Sequence, residues 1–166
     1  EAPALNAEIL FGTPGVSGGI LFGDEPCRGM AVFGDRVYPD KVYFVNGNNL
    51  YSWDGVSPTV TYIVPTVVGG VTGTGLVSMA VSQSQLMILV PGGEGFIVEK
   101  GYGVDPDTLD LITDVDFVAN GQPETVVFVD GYFVCPCRET GKFIISAIND
   151  GLSWNALDFG AAESLP

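Results

Sequence analysis

The sequence predicts an all-β fold made of propeller-like blades, which are small antiparallel sheets that pack face to face. One unit occurs three times along the chain: an apolar strand, a short linker and a hairpin turned by glycine. The turns at Gly47, Gly92 and Gly131 lie 45 and 39 residues apart, which is the period of a four-stranded blade. The 23 glycines and 11 prolines fit many tight turns, and almost no stretch has helical periodicity.

The first unit consists of the strand Met30-Ala31-Val32 and a hairpin over residues 42–53. Asn46-Gly47 stands near the centre of this hairpin. An Asn-Gly pair favours the type I′ turn, whose twist matches that of paired strands, so we expect a tight hairpin here.

The second unit contains Met79-Ala80-Val81, an apolar run over residues 86–90 and the turn Gly92-Gly93. The third begins with Phe117-Val118-Ala119 and continues through residues 126–129 to the turn Asp130-Gly131. We therefore expect an extended initial segment over residues 1–29 and three blades, at approximately 30–75, 76–116 and 117–166. At most a short helical turn is expected, over residues 107–112.

Apolar side chains alternate with smaller or polar ones along these strands, which indicates one buried face per strand. The side chains expected to be buried are Met30, Val32, Phe44, Met79, Val81, Ile88, Phe117, Val127 and Phe133. Three blades do not close a propeller, which needs at least about four. We therefore expect the chain to be a segment of a longer protein.

The formal net charge is −14, from 20 acidic and six basic residues. The basic residues are scattered, which disfavours tight binding of DNA or RNA, because such binding relies on clustered Lys and Arg. An acidic surface serves solubility, and it also suits a passage wall to which nucleic acid does not stick.

No charged residue occurs from Val56 to Gly93. Pro65 and the glycines between residues 69 and 75 argue against a membrane-spanning helix in this tract. Buried β-structure or a subunit interface is the better interpretation, and no contact with a membrane is expected.

The sequence offers little catalytic chemistry. It has no histidine, and its three cysteines, at positions 27, 135 and 137, do not make a disulfide framework. We expect these cysteines to be buried, reduced thiols. Three thiols without histidine do not supply the four ligands of a structural zinc. We therefore assign no catalytic, cofactor-binding or metal-binding residue, and we expect no cofactor and no enzyme.

Three further motifs have structural interpretations. The acidic cluster Asp105, Asp107, Asp110, Asp114 and Asp116 lacks the Gly and Glu spacing of a calcium loop, so a solvated inter-blade loop is favoured over a calcium site. Residues 69–75 are Gly-rich but have no following Lys and open no helix, which favours a flexible blade connection over a phosphate loop. Residues 146–154 resemble the structural Asp-box hairpin of sialidase-like propellers.

The order of several segments resembles the packaged-DNA stabilisation proteins of short-tailed phages, also called tail accessory factors, nozzles or hubs. The matching segments are Leu10 to Gly15, Cys27-Arg28-Gly29-Met30, the hairpin around Gly47, Gly75 to Ala80, and Ser153 to Pro166. The similarity covers essentially the whole chain, and it matches the N-terminal part of these longer proteins.

The resemblance implies a structural virion protein without enzymatic activity. Such proteins form a hexameric ring of propeller-like subunits below the portal and its adaptor ring, where they help to retain packaged DNA and carry other tail parts. It further implies a place in the virion tail after assembly in the host cytoplasm, with double-stranded DNA passing nearby without specific binding. The alternatives are a glycan-binding or sialidase-like propeller, and a generic propeller platform for protein interactions. A sialidase would need an arginine cluster, and the chain has three arginines.

Overall fold

The computed structural model describes residues 25–34, 40–57, 59–101, 105–119, 123–138 and 141–161. Within these ranges, twelve strands form three four-stranded antiparallel sheets, and each strand pairs with its neighbours in sequence. The sheets are propeller-like blades, as the sequence predicts, and they are called blades 1 to 3 below. Most of the initial segment expected over residues 1–29 lies outside the described residues.

Blade 1 contains a two-residue hairpin turn between its second and third strands. Asn46 pairs with Asn49, so the turn residues are Gly47 and Asn48. Of these two, only Gly47 has a positive φ, at 55°, which is the pattern of a type II′ turn with Gly in first place. The hairpin is confirmed, but its turn is one residue later than the Asn46-Gly47 type I′ turn that we predicted. The strands are β1 (Cys27–Phe33), β2 (Lys41–Asn46), β3 (Asn49–Trp53) and β4 (Thr61–Ile63).

Blade 2 lies between the other two and is buried on both faces. Leu86 and Ile88 pack against blade 1, whereas Met87 and Leu89 pack against blade 3. Because neither face meets water, the strand from residue 85 to 89 shows no polar alternation. The expected helical turn at residues 107–112 is wrong, since most of this stretch is a strand paired with its neighbour. The strands are β5 (Ser78–Val81), β6 (Gln85–Leu89), β7 (Gly95–Glu99) and β8 (Thr108–Leu111).

Blade 3 begins later in the chain than the sequence repeat indicates. Phe117-Val118-Ala119 is not a strand but lies in a short helix, α1 (Val115–Ala119), whose Phe117 packs on Trp154 with ring centroids 4.9 Å apart. The helix precedes blade 3 in the chain. It buries the side chain of Phe117, although its backbone is not paired with a sheet. The strands are β9 (Val127–Val129), β10 (Tyr132–Pro136), β11 (Lys142–Ala147) and β12 (Asp150–Ala161).

The third hairpin was therefore aligned wrongly with the first two. Gly131 joins the first and second strands of its blade, whereas Gly47 and Gly92 join the second and third. The equivalent connection in blade 3 runs from residue 137 to 141. A tight turn needs the same residue types whichever two strands of a sheet it joins. The spacing of the glycines therefore does not show whether a turn joins the first and second strands of a blade or the second and third.

The core consists of two clusters, one at each blade junction. Four of the nine predicted core residues, Phe44, Ile88, Phe117 and Phe133, are buried, and Met79 and Val81 are partly buried. The prediction is wrong for Met30, Val32 and Val127, which are 43%, 58% and 51% exposed. These three lie on the outer faces of the two terminal blades, which no described blade covers. No helix in the described part of the chain has the length and apolar character needed to cross a membrane.

Candidate functional site

Arg28 organises the connection between blades 1 and 2. The residue lies in β1 and is only 4% exposed. Its guanidinium donates to four backbone carbonyl oxygens, which is possible because Arg carries five N–H donors in a rigid fork. The bonds run from Nε to Gly75 (2.7 Å), from Nη1 to Val71 (2.6 Å) and Gly47 (3.0 Å), and from Nη2 to Thr72 (3.1 Å). Burial lowers the pKa of Arg28 from its ordinary value.

The segment that Arg28 holds is the linker, residues 64–77, which joins β4 to β5. Two more backbone bonds attach it to blade 1: Val71 N–H donates to Asn48, and Val77 N–H donates to Arg28, both at 2.9 Å. Residues 69–75 are thus a blade connection, as predicted. They are not the flexible loop that we expected, because their carbonyl groups surround a buried cation.

Gly70 shows how closely this linker approaches blade 1. Its φ is +64°, a left-handed conformation, and a Cβ there would lie 2.3 Å from the carbonyl oxygen of Asn48. Only glycine meets both constraints. Glycine at position 70 is therefore explained by backbone conformation and packing.

The linker leaves apolar side chains in solvent. Val64 is 69% exposed and Val68 is fully exposed, and with Tyr62 they border an open groove of about 400 Å³. We call Tyr62, Val64 and Val68 the linker patch. The charge-free tract from Val56 to Gly93 is therefore divided: β5 and β6 are mostly buried between blades, whereas the linker patch is surface.

A second polar joint between blades 1 and 2 is centred on Asp107. Its Oδ2 accepts hydrogen bonds from Tyr43 Oη at 2.7 Å and Lys41 Nζ at 3.2 Å, and its Oδ1 accepts from Gly101 N–H at 3.1 Å. Burial raises the pKa of Tyr43 above its ordinary value, and the bond to Asp107 adds to the shift. Both carboxylate oxygens are occupied and the side chain is 7% exposed, so this group serves as a joint and offers no open catalytic position.

Polar side chains, of which Gln85 is buried, also form the junction between blades 2 and 3. Gln85 donates to Glu99 at 2.9 Å and accepts from the backbone N–H of Gly151 at 2.8 Å. Asp114 accepts from the backbone N–H of Trp154 at 3.1 Å. The side chains of Gln85 and Asp114 thus form hydrogen bonds with other groups of the protein, which join neighbouring parts of the fold.

The Asp-box-like hairpin has the structural role that its sequence indicates. Ser146 accepts from Phe133 N–H at 3.0 Å, and Asp150 accepts from Leu152 N–H at 3.0 Å. Trp154 Nε1 donates to the carbonyl of Gly151 at 2.8 Å. These three bonds stay within blade 3, whereas the backbone N–H groups of Gly151 and Trp154 bind Gln85 and Asp114 outside the hairpin.

The acidic cluster is dispersed by the fold. Asp107 faces blade 1, Asp110 accepts from Thr108 at 2.9 Å, and Asp114 faces blade 3. Within the ranges that the structure describes, no group of three or more His, Cys, Asp or Glu side chains could hold a metal ion. That the chain has no catalytic, cofactor-binding or metal-binding residue stays a prediction from the sequence.

The cysteines differ in exposure. Cys135 and Cys137 are buried thiols, whereas Cys27 is an exposed thiol, so the expectation of burial is wrong for Cys27. Burial raises the pKa of Cys135 above its ordinary value, and the neighbouring Cys137 adds to the shift. Cys27 directly precedes Arg28 at the start of β1, where the strand is still open to solvent.

The sequence alone does not indicate the role of Arg28, which is one of six scattered basic residues and part of the segment that resembles the family. One signal was available. Arg28 stands beside Gly29 at the start of the first strand, in a chain with only six basic residues. The partners of Arg28 in the linker are backbone carbonyl groups, which every residue has. No acidic side chain in the linker therefore marks it as the partner of an arginine.

The fold defines a protein of propeller-like architecture, in which polar side chains join one blade to the next. A comparison with protein families agrees: the family model described as Bacteriophage P22 Gp10, beta-propeller, matches residues 24–166. The chain belongs to this family, and it is a structural protein of the phage tail and a component of the virion. Membership of a structural family is consistent with a protein that is not an enzyme. A search of curated proteins finds no match.

Proposed function

We propose that this chain belongs to a homo-oligomeric ring in the phage tail, below the portal and its adaptor ring, which helps to retain packaged DNA and lets it exit. The family match supports a place in the tail, and the hexameric count comes from the family resemblance. Assembly takes place in the host cytoplasm. The portal-adaptor protein and other tail proteins are the partners.

The burial and ion pairing of the basic residues are the observations that support a role beside DNA without specific binding. Of the five described basic residues, Arg28 and Lys100 are buried, and Lys41 and Arg138 form ion pairs with Asp107 and Glu124. Lys142 lies over the ring of Phe159, 5.2 Å from its centroid. The described surface therefore offers little positive charge to phosphates, while many carboxylates are exposed.

An acidic wall suits DNA that has to leave quickly. Binding to Lys and Arg would retard ejection, whereas repulsion by Asp and Glu keeps the duplex centred without specific contacts. The range of this repulsion is the Debye length, about 8 Å at physiological salt. Retention then depends on the narrowness of the ring and on its partners.

A virion map tests the proposal directly. We expect density for this chain in a ring on the tail axis, below the portal adaptor. Purified chain mixed with short duplex DNA should show no binding by fluorescence anisotropy at low salt. Density away from the axis would contradict the position, and tight, salt-dependent DNA binding would contradict the mechanism.

A further inference from the structure

One Asp-Gly pair forms the turn between β9 and β10, at the start of blade 3. Val129 pairs with Tyr132, so Asp130 and Gly131 are the two residues of this turn. Both have a positive φ, 51° for Asp130 and 90° for Gly131, which is the pattern of a type I′ turn. Asp130 is exposed, so its carboxyl group is open to solvent at the tip of a tight hairpin.

The two groups of this pair that could react with each other have no hydrogen-bond partner in the described part of the chain. No described group donates a hydrogen bond to the carboxylate of Asp130, and the N–H of Gly131 donates to no described acceptor. The turn is held through the carbonyl oxygen of Gly131, which accepts from Asn149 N–H at 2.6 Å. The Cγ of Asp130 and the nitrogen of Gly131 are therefore not held apart by other bonds.

A backbone nitrogen that reaches the carboxyl carbon of a preceding Asp closes a five-membered succinimide ring. The bond from nitrogen to Cγ forms, the bond from Cγ to the hydroxyl oxygen breaks, and the hydroxyl leaves with the N–H proton as water. Glycine favours this step because it has no Cβ to obstruct the nitrogen. Water then opens the ring at one of its two carbonyl groups. Opening at Cγ restores Asp, whereas opening at the main-chain carbonyl leaves the chain linked through Cγ, which is isoaspartate.

The conformation of the turn favours ring closure at Asp130. A planar ring fixes the ψ of the Asp at about −120°, which is the value at the first central position of a type II′ turn, where φ is about +60°. Asp130 already has a φ of 51° at this position, so the peptide plane between Asp130 and Gly131 is what has to turn. Gly131 allows the change from type I′ to type II′ because glycine adopts both signs of φ. Ring closure therefore does not require β9 and β10 to separate.

The Asp54-Gly55 pair is protected at its carboxyl group. Asp54 Oδ1 accepts from the backbone N–H of Ser57 at 2.7 Å and of Val56 at 2.9 Å, and these bonds lower the pKa of Asp54 from its ordinary value. Ring closure uses the protonated carboxyl group, because its hydroxyl leaves as water. A lowered pKa and a fixed carboxylate therefore both oppose the reaction at Asp54.

The Asp150-Gly151 pair is protected at its nitrogen. The N–H of Gly151 is buried and donates to Gln85 Oε1 at 2.8 Å, and Asp150 Oδ1 accepts from Leu152 N–H at 3.0 Å. Neither Asp150 nor Asp54 has a positive φ. Of these three Asp-Gly pairs, Asp130-Gly131 therefore combines an exposed carboxyl group, an unbound nitrogen and the φ that the ring needs.

We infer that Asp130 is a site of spontaneous covalent modification, at which the chain converts to isoaspartate through a succinimide formed with Gly131. The reaction needs no enzyme, oxidant or cofactor, since water leaves in the first step and returns in the second. The product has an additional main-chain methylene in a two-residue turn, so the modified chain should have a lower denaturation midpoint. This inference does not depend on the proposed ring.

Ageing of the purified chain at neutral pH tests the inference. The three Asp-Gly pairs lie in different tryptic peptides, residues 42–100, 101–138 and 143–166. We expect isoaspartate at Asp130 to form at least about tenfold faster than at Asp54 or Asp150, a factor that corresponds to about 1.4 kcal/mol in activation free energy. Chromatography separates the isoaspartyl peptide at unchanged mass, and a protease that cleaves before Asp does not cut it at position 130. Deamidation of an Asn changes the peptide mass and is thereby distinguished.

Two controls separate the fold from the local sequence. In denaturant none of the three pairs keeps its folded environment, so their rates should be similar. Asp130→Glu keeps the charge but would need a six-membered ring, so its peptide 101–138 should stay unmodified at position 130, while Asp54 and Asp150 react as in the wild type. Circular dichroism should show this variant folded.

Equal rates at the three pairs in the folded chain overturn the inference. A preference for Asp130 that persists unchanged in denaturant also overturns it, because the local sequence and not the turn would then be the cause.

Discussion

Gln85 and Gly151 join two blades through one hydrogen bond: the side-chain Oε1 of Gln85 accepts from the backbone N–H of Gly151 at 2.8 Å. Both residues are buried, and 66 positions separate them in sequence. The same side chain donates to Glu99, so a single amide satisfies groups on both sides of the junction. A buried polar group with no partner is costly, which makes this joint a sensitive point of the fold.

We predict that Gln85→Leu lowers the free energy of unfolding by about 1–3 kcal/mol, because it leaves the Gly151 N–H buried without an acceptor. Chemical denaturation followed by fluorescence measures this. Gln83→Leu is the control, since Gln83 is exposed in the connection between β5 and β6 that precedes Gln85, and it should change stability by less than about 0.5 kcal/mol. Equal effects of the two substitutions would contradict the assigned role.

Arg28→Lys should destabilise the protein by at least about 2 kcal/mol, although it keeps the positive charge. A lysine ammonium has three donors on a flexible stem and does not reproduce the fork that meets four carbonyls. Thermal denaturation measures the loss, and hydrogen exchange should show faster exchange at Val71 and Val77, whose N–H groups bind blade 1. Arg138→Lys is the control, because Arg138 forms an exposed ion pair with Glu124 and its replacement should be nearly neutral.

Gly70→Ala should destabilise the protein by more than about 1–2 kcal/mol, since a left-handed φ and a clash with Asn48 oppose the new methyl group. Two other glycines separate these causes. Gly55 also has a positive φ but nothing within 4 Å, and Gly75 has neither constraint. Denaturation midpoints should therefore fall most for Gly70→Ala, less for Gly55→Ala and least for Gly75→Ala.

Phe133→Ala should cost about 3–5 kcal/mol, because Phe133 is fully buried and packs on Phe128 with ring centroids 5.0 Å apart. The neighbouring Tyr132 points to the exposed side of the same strand. Tyr132→Ala should therefore cost much less in the same denaturation experiment. A similar loss for both residues would show that the outer face of blade 3 is covered in the isolated chain.

Stability should fall as the pH rises above about 9. In the folded state burial raises the pKa of the Cys135 thiol, whereas the unfolded thiol titrates near its ordinary value of 9.0. Above that pH the unfolded chain releases a proton that the folded chain keeps, so the free energy of unfolding falls with a slope approaching about 1.4 kcal/mol per pH unit for this group. Below pH 8 both states hold the proton, and this thiol contributes no pH dependence.

Denaturation at a series of pH values from 8 to 10 measures the slope. Cys135→Ala removes the titrating group. Between pH 9 and 10 its free energy of unfolding should therefore fall less steeply with pH, by an amount that corresponds to about one proton, whatever its stability at neutral pH. Tyr43, whose pKa burial also raises, adds to the loss only above about pH 10. An unchanged slope in Cys135→Ala would mean that another group is responsible.

Local chemistry explains what sequence reasoning predicted correctly. Hairpins at Gly47, Gly92 and Gly131 follow from residues that tolerate a positive φ, and Gly47, Gly92 and Gly131 all adopt one. The Asp-box-like hairpin closes through bonds between residues near each other in sequence or in adjacent strands. The family resemblance rested on short segments in a fixed order, and the family match over residues 24–166 confirms it.

The all-β class, the turns and the family were predictable from the sequence, because these depend on neighbours along the chain. The strands that each turn joins, and the helix that contains Phe117, are visible only in the folded protein. Only it shows that Met30 and Val127 lie on uncovered faces, since burial depends on what packs against a sheet and not on alternation within it. The bonds of Arg28 to the linker and of Gln85 to Gly151 span more than 40 residues, and no local pattern encodes such distant partners.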